Sequence, residues 1–424
     1  MMRTGFALLV LGLSACSPDA MSPPNTAGAG TAGSQAMGQA GAFAQAGSNS
    51  GNAGSAGTLT AAGAGGVVGQ GGGGAAGAAH GGAGSAGQPS GGQSNGGAGP
   101  VGPYFIGRFD QSKQDAPVFA WPGTAIALRF TGTSIGATLT DGGNNWLEVV
   151  LDGQHTVLQL QSGTKKYALG TGLAAGQPHE LLLYRRTEAS FNETTFNGFD
   201  VPSSAYLPAT VAPHRLEVIG DSISAGYGNE GTFPCTFTAA TENQYLSYEA
   251  IAARTLNAQL YTEAWSGIGM YHNYEGETTD QMPVRYLRTL PDRATSTWDF
   301  GKFVPEAVVI NLGTNDFSKG DPGMPFQTAY LKFVTDLRGR YPLARFFLAV
   351  GTMLSGDGYK QATAYLKAVI DSRATAGDTN LRLLEFGSQD SNADGLGCDY
   401  HPSLKTHQKM ADKLIATLKS ELGW

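Results

Sequence analysis

The chain has little with which to bind nucleic acid, cross a bilayer or hold a metal. Its 424 residues carry 27 Lys and Arg against 34 Asp and Glu, a net charge of −7. The basic residues do not cluster, which argues against nucleic acid as a partner. No apolar run approaches the ~20 residues of a membrane helix. No His/Cys/Asp group has metal-ligand spacing, and no phosphate-cradling Gly-rich loop is present, so neither a metal nor a cofactor is expected. Cysteine is scarce, with only Cys16, Cys235 and Cys398.

What is present begins with a processing signal. Arg3 supplies a positive charge and residues 5–13 form a short apolar stretch, the pattern of an export signal. It closes on Leu13-Ser14-Ala15-Cys16, which resembles the bacterial lipobox, where the cysteine is acylated and becomes the first mature residue. An ordinary secretory signal would also take the chain out of the cytoplasm. With Ser17 after the cysteine, the resemblance implies an outer-membrane lipoprotein facing the periplasm or cell surface. The membrane is then met only through the lipid at Cys16. Residues 17–102 are mainly Gly, Ala, Ser, Gln and Asn and cannot bury enough apolar surface to offset their ordering entropy. A Gly-rich coil of about 80 residues spans on the order of 50 Å, the reach of a tether. With Cys16 lipidated in an oxidising compartment, Cys235 and Cys398 remain as a disulfide pair.

Two folded regions of different character follow. Residues 103–206 read as short alternating strands (125–130, 134–139, 146–151, 156–160 and 179–184) separated by Gly-bearing turns. That spacing predicts an antiparallel β-sandwich. From residue 207 the period changes. Apolar runs at 216–219, 260–264, 307–312, 346–350 and 381–386 alternate with helical patterns at 243–256, 326–340, 359–374 and 403–422. Strand and helix in alternation predict an α/β domain, a doubly wound parallel sheet with helices on both faces. The chain is expected to be a monomer.

Four blocks fall at ends of these elements: Gly220-Asp221-Ser222, Trp265-Ser266-Gly267, Asn311-Leu312-Gly313-Thr314-Asn315-Asp316 and Gly397-Cys398-Asp399-Tyr400-His401-Pro402. Singly each has a bland explanation: Asn315 as a helix cap, Gly267 as a turn glycine, His401 as a surface histidine. In a doubly wound sheet, however, the loops after the strands share one edge. A serine hydroxyl needs a base within hydrogen-bond reach, and an imidazole titrates near neutral pH. Ser222 is therefore the candidate nucleophile and His401 its base. Asp221 and Asp316 read as loop ties, His272 as a loop residue, and His407 as a solvated position on the last helix. Trp265, Tyr271, Tyr400 and Trp298 could form a sugar platform or simply pack.

The order of these blocks is that of the SGNH (GDSL) hydrolases. The fuller strings Gly220-Asp-Ser-Ile-Ser-Ala-Gly-Tyr-Gly-Asn-Glu230 and Cys398-Asp-Tyr-His-Pro402 resemble carbohydrate esterase family 2. That family joins a jelly-roll domain to an SGNH domain and removes acetyl groups from plant polysaccharides. The resemblance implies a jelly roll over 103–206, an SGNH domain over 207–424, and an oxyanion hole from the Ser222 amide, the Gly267 amide and the Asn315 side chain. It also implies an acetylated polysaccharide, xylan or glucomannan, as substrate. Many SGNH hydrolases place the triad acid three residues before the histidine, where this chain has Cys398. Asp399 is the candidate replacement, although a backbone carbonyl could orient the imidazole instead. Two alternatives remain open: an esterase for another acyl ester, on an envelope glycan or lipid, and a non-catalytic surface glycan-binding protein.

Overall fold

The computed structural model describes residues 98–424. Cys16 and the linker up to residue 97 lie outside the described residues. Two antiparallel sheets form the sandwich. One runs in the order Ala98–Val101, Tyr206–Thr210, Ala125–Thr131, Pro178–Arg185, Trp146–Leu151, Gln154–Gln159, with Tyr104–Ile106 also on Ala125–Thr131. The other runs Phe109–Asp110, Val118–Phe119, Thr194–Phe199, Ser134–Asp141, Gly163–Thr171. Period-2 alternation sends Ile126, Leu128, Phe130, Leu181 and Leu183 inward against Ile135, Ala137, Leu139 and Phe196, as a two-sheet core requires. Both expected boundaries of this domain need correction. Tyr206–Thr210 pairs with Ala125–Thr131, so the sandwich extends past residue 206, and Ala98–Val101 pairs with Tyr206–Thr210 inside the stretch expected as linker.

The second domain holds a parallel sheet in the order Ala258–Ala264, His214–Gly220, Ala307–Asn311, Arg345–Val350, Leu381–Glu385. Its strands are apolar on both faces because helices cover both. Ile219, Val308, Ile310, Phe346 and Leu348 pack under Met324–Arg340 and Gly356–Thr375. On the other face, Leu216, Val218, Val309, Phe347 and Ala349 pack under Tyr248–Thr255 and Leu404–Leu422. The first strand pairs on both sides, Gly220 meeting Ala264 and Asn311. That makes its carboxyl end the switch point, where such sheets bind ligands.

Two buried carboxylates interrupt this apolar sheet. Glu217 and Glu263 lie on neighbouring strands, both fully buried. Their counter-ion comes from the sandwich. The Arg108 guanidinium, fully buried as well, lies 2.9 Å from Glu263 and 3.3 Å from Glu217. It donates to the Arg288 carbonyl at 3.1 Å and covers the Tyr286 ring at 4.5 Å. Tyr286 Oη donates to Glu217 at 3.0 Å. Burial raises the pKa of both carboxyls, and Arg108 opposes that shift. Arg108→Ala would strand these charges, and chemical denaturation is expected to show a loss of about 3–5 kcal/mol.

Candidate active site

Ser222 starts the one-turn helix Ser222–Ala225 directly after the first parallel strand. The Asp221 side chain caps that turn by accepting from Ile223 N at 3.0 Å, the ordinary service of an N-cap aspartate. Ser222 itself is 6 % exposed. His401 precedes the last helix, whose N-cap Ser403 accepts from Thr406 N. Its Nε2 lies 2.9 Å from Ser222 Oγ.

The other ring nitrogen decides the question of the acid. His401 Nδ1 lies 3.1 Å from the backbone carbonyl of Asp399. A carbonyl only accepts, so the proton sits on Nδ1 and the lone pair on Nε2 faces the serine hydroxyl. The Asp399 carboxylate points elsewhere, accepting from Tyr227 Oη at 3.0 Å and Phe237 N at 2.9 Å. The expectation that the Asp399 side chain is the third triad member is thereby corrected. The side chain is committed to the facing loop, and its main chain does the orienting. Tyr227 also packs on the imidazole, 4.1 Å between ring centres. Burial pushes the His401 pKa down to about 4, against the opposing pull of the Asp399 carbonyl, so the ring is a neutral base at ordinary pH.

This orientation depends on a stitched loop. Asp399 and Tyr400 both hold positive φ, +48° and +66°, a conformation costing about 1–3 kcal/mol per non-glycine residue. Cys398 is joined to Cys235, Cα to Cα 4.7 Å. Cys398 N donates to the Gly228 carbonyl at 3.0 Å and Asp399 N to the Cys235 carbonyl at 3.0 Å. Gly228 has φ +59°, and a Cβ there would lie 2.8 Å from Cys398 Cβ, so only glycine lets the two loops approach this closely.

The second and third blocks follow the strands flanking the first. Gly267 has φ +79°, in the loop after Ala258–Ala264. Asn315 is 7 % exposed and donates one amide hydrogen to the Ile268 carbonyl at 2.8 Å; the other remains for a ligand. Asp316 accepts from the amides of Met270, Tyr271 and His272 at 2.9, 2.6 and 2.8 Å, so it ties the loop as expected.

The expected aromatic platform divides. Tyr400 is 62 % exposed beside the exposed Phe233 ring, 4.5 Å away. Trp265 is instead held under the Arg285 guanidinium at 4.0 Å and packs against Ala120, Ala189 and Leu290. Tyr271 is half-buried at the margin of the core, its ring 4.2 Å from that of His272, and Trp298 is buried beside Tyr261 and Phe303. His407, expected in solvent, is buried, and its Nδ1 accepts from Tyr248 N at 3.2 Å. It sits on the helix face turned to Tyr248–Thr255.

Comparison with known proteins matches this geometry to a family. Residues 105–210 fit the model described as Carbohydrate esterase 2 N-terminal, and residues 218–409 fit the GDSL-like lipase/acylhydrolase family. The solved structure of a family two carbohydrate esterase from Clostridium thermocellum in complex with cellohexaose is 43 % identical, with a TM-score of 0.72 over 76 % of this chain and all of that one. The chain belongs to carbohydrate esterase family 2. Cellulase/esterase CelE of Acetivibrio thermocellus is 43 % identical over 324 residues, 76 % of this chain and 39 % of CelE, so the chain spans about two fifths of that relative. An acetylxylan esterase/glucomannan deacetylase of Cellvibrio japonicus is 26 % identical over 75 % of this chain and 88 % of that one. The sandwich and parallel-sheet order expected from the sequence is that of the family.

Sequence reasoning passed over several residues of the loops around Ser222, Gly267 and His401. Tyr227 and Glu230 stand inside the string that carried the resemblance, where their spacing from Ser222 could have marked them. Glu230 is held by Arg186 of the sandwich and accepts from Asn243 at 3.1 Å. Phe233 and Tyr274, both exposed, gave no sequence signal; nor did Glu188, which reaches the site from the sandwich.

Two measurements follow from the His401 geometry. Only the neutral imidazole accepts a proton, so kcat/KM rises with pH along an acid limb centred near 4 and is flat across neutral pH. Asp399→Asn leaves the backbone carbonyl and an acceptor for Phe237 N in place. Its kcat is expected to fall about tenfold or less, against the ~10⁴-fold loss of a true triad acid under the same change.

Proposed function

We propose that the chain is an exported serine esterase that removes O-acetyl groups from plant cell-wall polysaccharide, xylan or glucomannan. The observation that carries this reading is the Ser222 Oγ to His401 Nε2 approach of 2.9 Å, with the imidazole held in the receptive tautomer. Ser222 attacks the acetyl carbonyl while His401 takes its proton. The positive charge forming on the ring is met by the Asp399 carbonyl rather than by a carboxylate. The Ser222 and Gly267 amides and the free Asn315 hydrogen receive the oxyanion, each donor supplying roughly 3–4 kcal/mol. His401 returns the proton to the departing sugar hydroxyl, and the same base then activates the water that hydrolyses the acetyl-enzyme.

Family membership and the names borne by relatives support a polysaccharide acetyl ester as substrate. The open faces of Tyr400 and Phe233 beside His401, and of Tyr274 at the Gly267 loop, suit the flat apolar side of a pyranose better than an acyl chain. Export and lipidation at Cys16 would place this activity in the cell envelope.

Acid release from acetylated xylan, acetylated glucomannan and long-chain esters, read as acetate from the first two and as fatty acid from the last, tests the proposal. Wild type is expected to prefer the acetylated glycans, and Ser222→Ala to abolish release. Acetate release persisting in Ser222→Ala would refute the assignment.

A further inference from the structure

The sandwich domain reaches the catalytic edge through the segment that follows its central strand. Central strand Pro178–Arg185 runs directly into Arg186, Thr187 and Glu188, all buried. Such a run of polar and charged residues is costly to bury without partners, and here the partners are specific. Arg185 shapes the turn from within. Its guanidinium donates to the carbonyls of Thr187, Glu188 and Asn192 at 2.8, 3.0 and 2.7 Å, and to Asn145 Oδ1 at 2.6 Å. The turn is thus rigid before it touches the other domain.

Besides the hold of Arg186 on Glu230, main-chain and carboxylate hydrogen bonds cross from this segment to the catalytic domain. Gln244 N donates to the Arg186 carbonyl at 3.0 Å. Glu188 N donates to the Glu242 carboxylate at 3.0 Å. The Glu188 carboxylate accepts from Ser266 N at 2.6 Å. This last bond matters most, because Ser266 immediately precedes Gly267, whose amide is assigned to the oxyanion. Glu188 draws the Ser266 N–H toward the sandwich and so fixes the peptide from which the Gly267 amide turns, at φ +79°. The register agrees: Ala264 pairs with Gly220, so Ser266 and Ser222 each stand two residues beyond that pair.

We propose that Glu188 of the sandwich domain is a positioning residue for the oxyanion hole, aligning the Gly267 amide through its bond to Ser266 N. The sandwich thereby contributes to turnover. This inference rests on the esterase reading given above. An oxyanion donor works only where the charge develops, and a displacement of about 1 Å can cost as much as ~10²-fold in rate. Loss of Glu188 therefore lowers kcat and leaves substrate affinity in place, since the ground-state carbonyl makes little use of the hole.

The test separates reach from charge. Glu188→Gln keeps an acceptor oxygen at the same distance and removes the charge; Glu188→Asp keeps the charge and draws the oxygen back by one methylene. Initial rates on p-nitrophenyl acetate and on acetylated xylan are measured for both, with Ser222→Ala as control and with melting curves. Glu188→Asp is expected to lose at least about tenfold in kcat with KM within about twofold. Glu188→Gln should retain at least roughly a third of wild-type kcat, because the Ser266 bond survives. The reverse order, Gln falling and Asp holding, would show that the charge matters and would overturn the proposal. So would kcat falling equally in both variants, KM rising with the fall, or no change in either. Activity persisting in Ser222→Ala would instead overturn the esterase reading, and the two failures are distinct.

Discussion

The structure hangs on a charge shared between its two domains. Glu217 and Glu263 sit inside the parallel sheet, where a lone carboxylate would be untenable, and the cation that compensates them is Arg108 of the sandwich. Neither domain is electrostatically complete alone: one would bury two acids without a base, the other would expose an arginine shaped for burial. The desolvation of all three groups makes their net contribution to stability small, while removing any one is expensive. What the cluster secures is placement. With Arg108 seated, the central sandwich strand ends against the carboxyl edge of the parallel sheet.

That placement matters because half of the groups expected to do chemistry are main-chain groups. Two amides are assigned to the proposed oxyanion hole, and the partner of His401 Nδ1 is a carbonyl. A backbone group has no rotamer of its own to lock, so it is held through its neighbours. Around this site four acidic side chains do that work: Asp221 on Ile223 N, Asp316 on residues 270–272, Asp399 on Phe237 N, and Glu188 on Ser266 N. Each accepts from a backbone amide of a loop at this edge rather than from the serine or the imidazole.

Much of this was legible in the sequence, for reasons of periodicity and chain order. The five strands and four long helices of the catalytic domain announce themselves because burial on both faces demands continuous apolar runs. Ser222, Gly267, Asn315 and His401 stand at element ends, where turn chemistry is visible. The role of Asp399 was not legible, because residue type does not tell which of its oxygens faces the ring. His407 shows the same limit: a polar residue within a helix reads as solvated until a neighbouring helix is known to pack on it. The domain boundary slipped because Pro208 suggests a break, although Pro is tolerated in Tyr206–Thr210, where it occupies a ladder position opposite Val101. Glu188 was beyond sequence reasoning altogether, since its partner lies on the other domain.

A carbonyl in place of the triad acid has its own logic. A buried aspartate would stabilise the imidazolium by a full charge, but it would also raise the pKa of the resting ring. Here burial holds His401 near 4, so the base is almost wholly neutral in a mildly acidic surrounding where a ring at the usual ~6.5 would be partly protonated. The cost is a weaker grip on the cation formed during attack, and a carbonyl dipole compensates only if its aim is fixed. The positive φ of Asp399 and Tyr400, the Cys235–Cys398 bridge and the Asp399 carboxylate on Phe237 all fix that aim. The Asp399 carboxylate thus belongs to the scaffold that aims its own carbonyl at the ring.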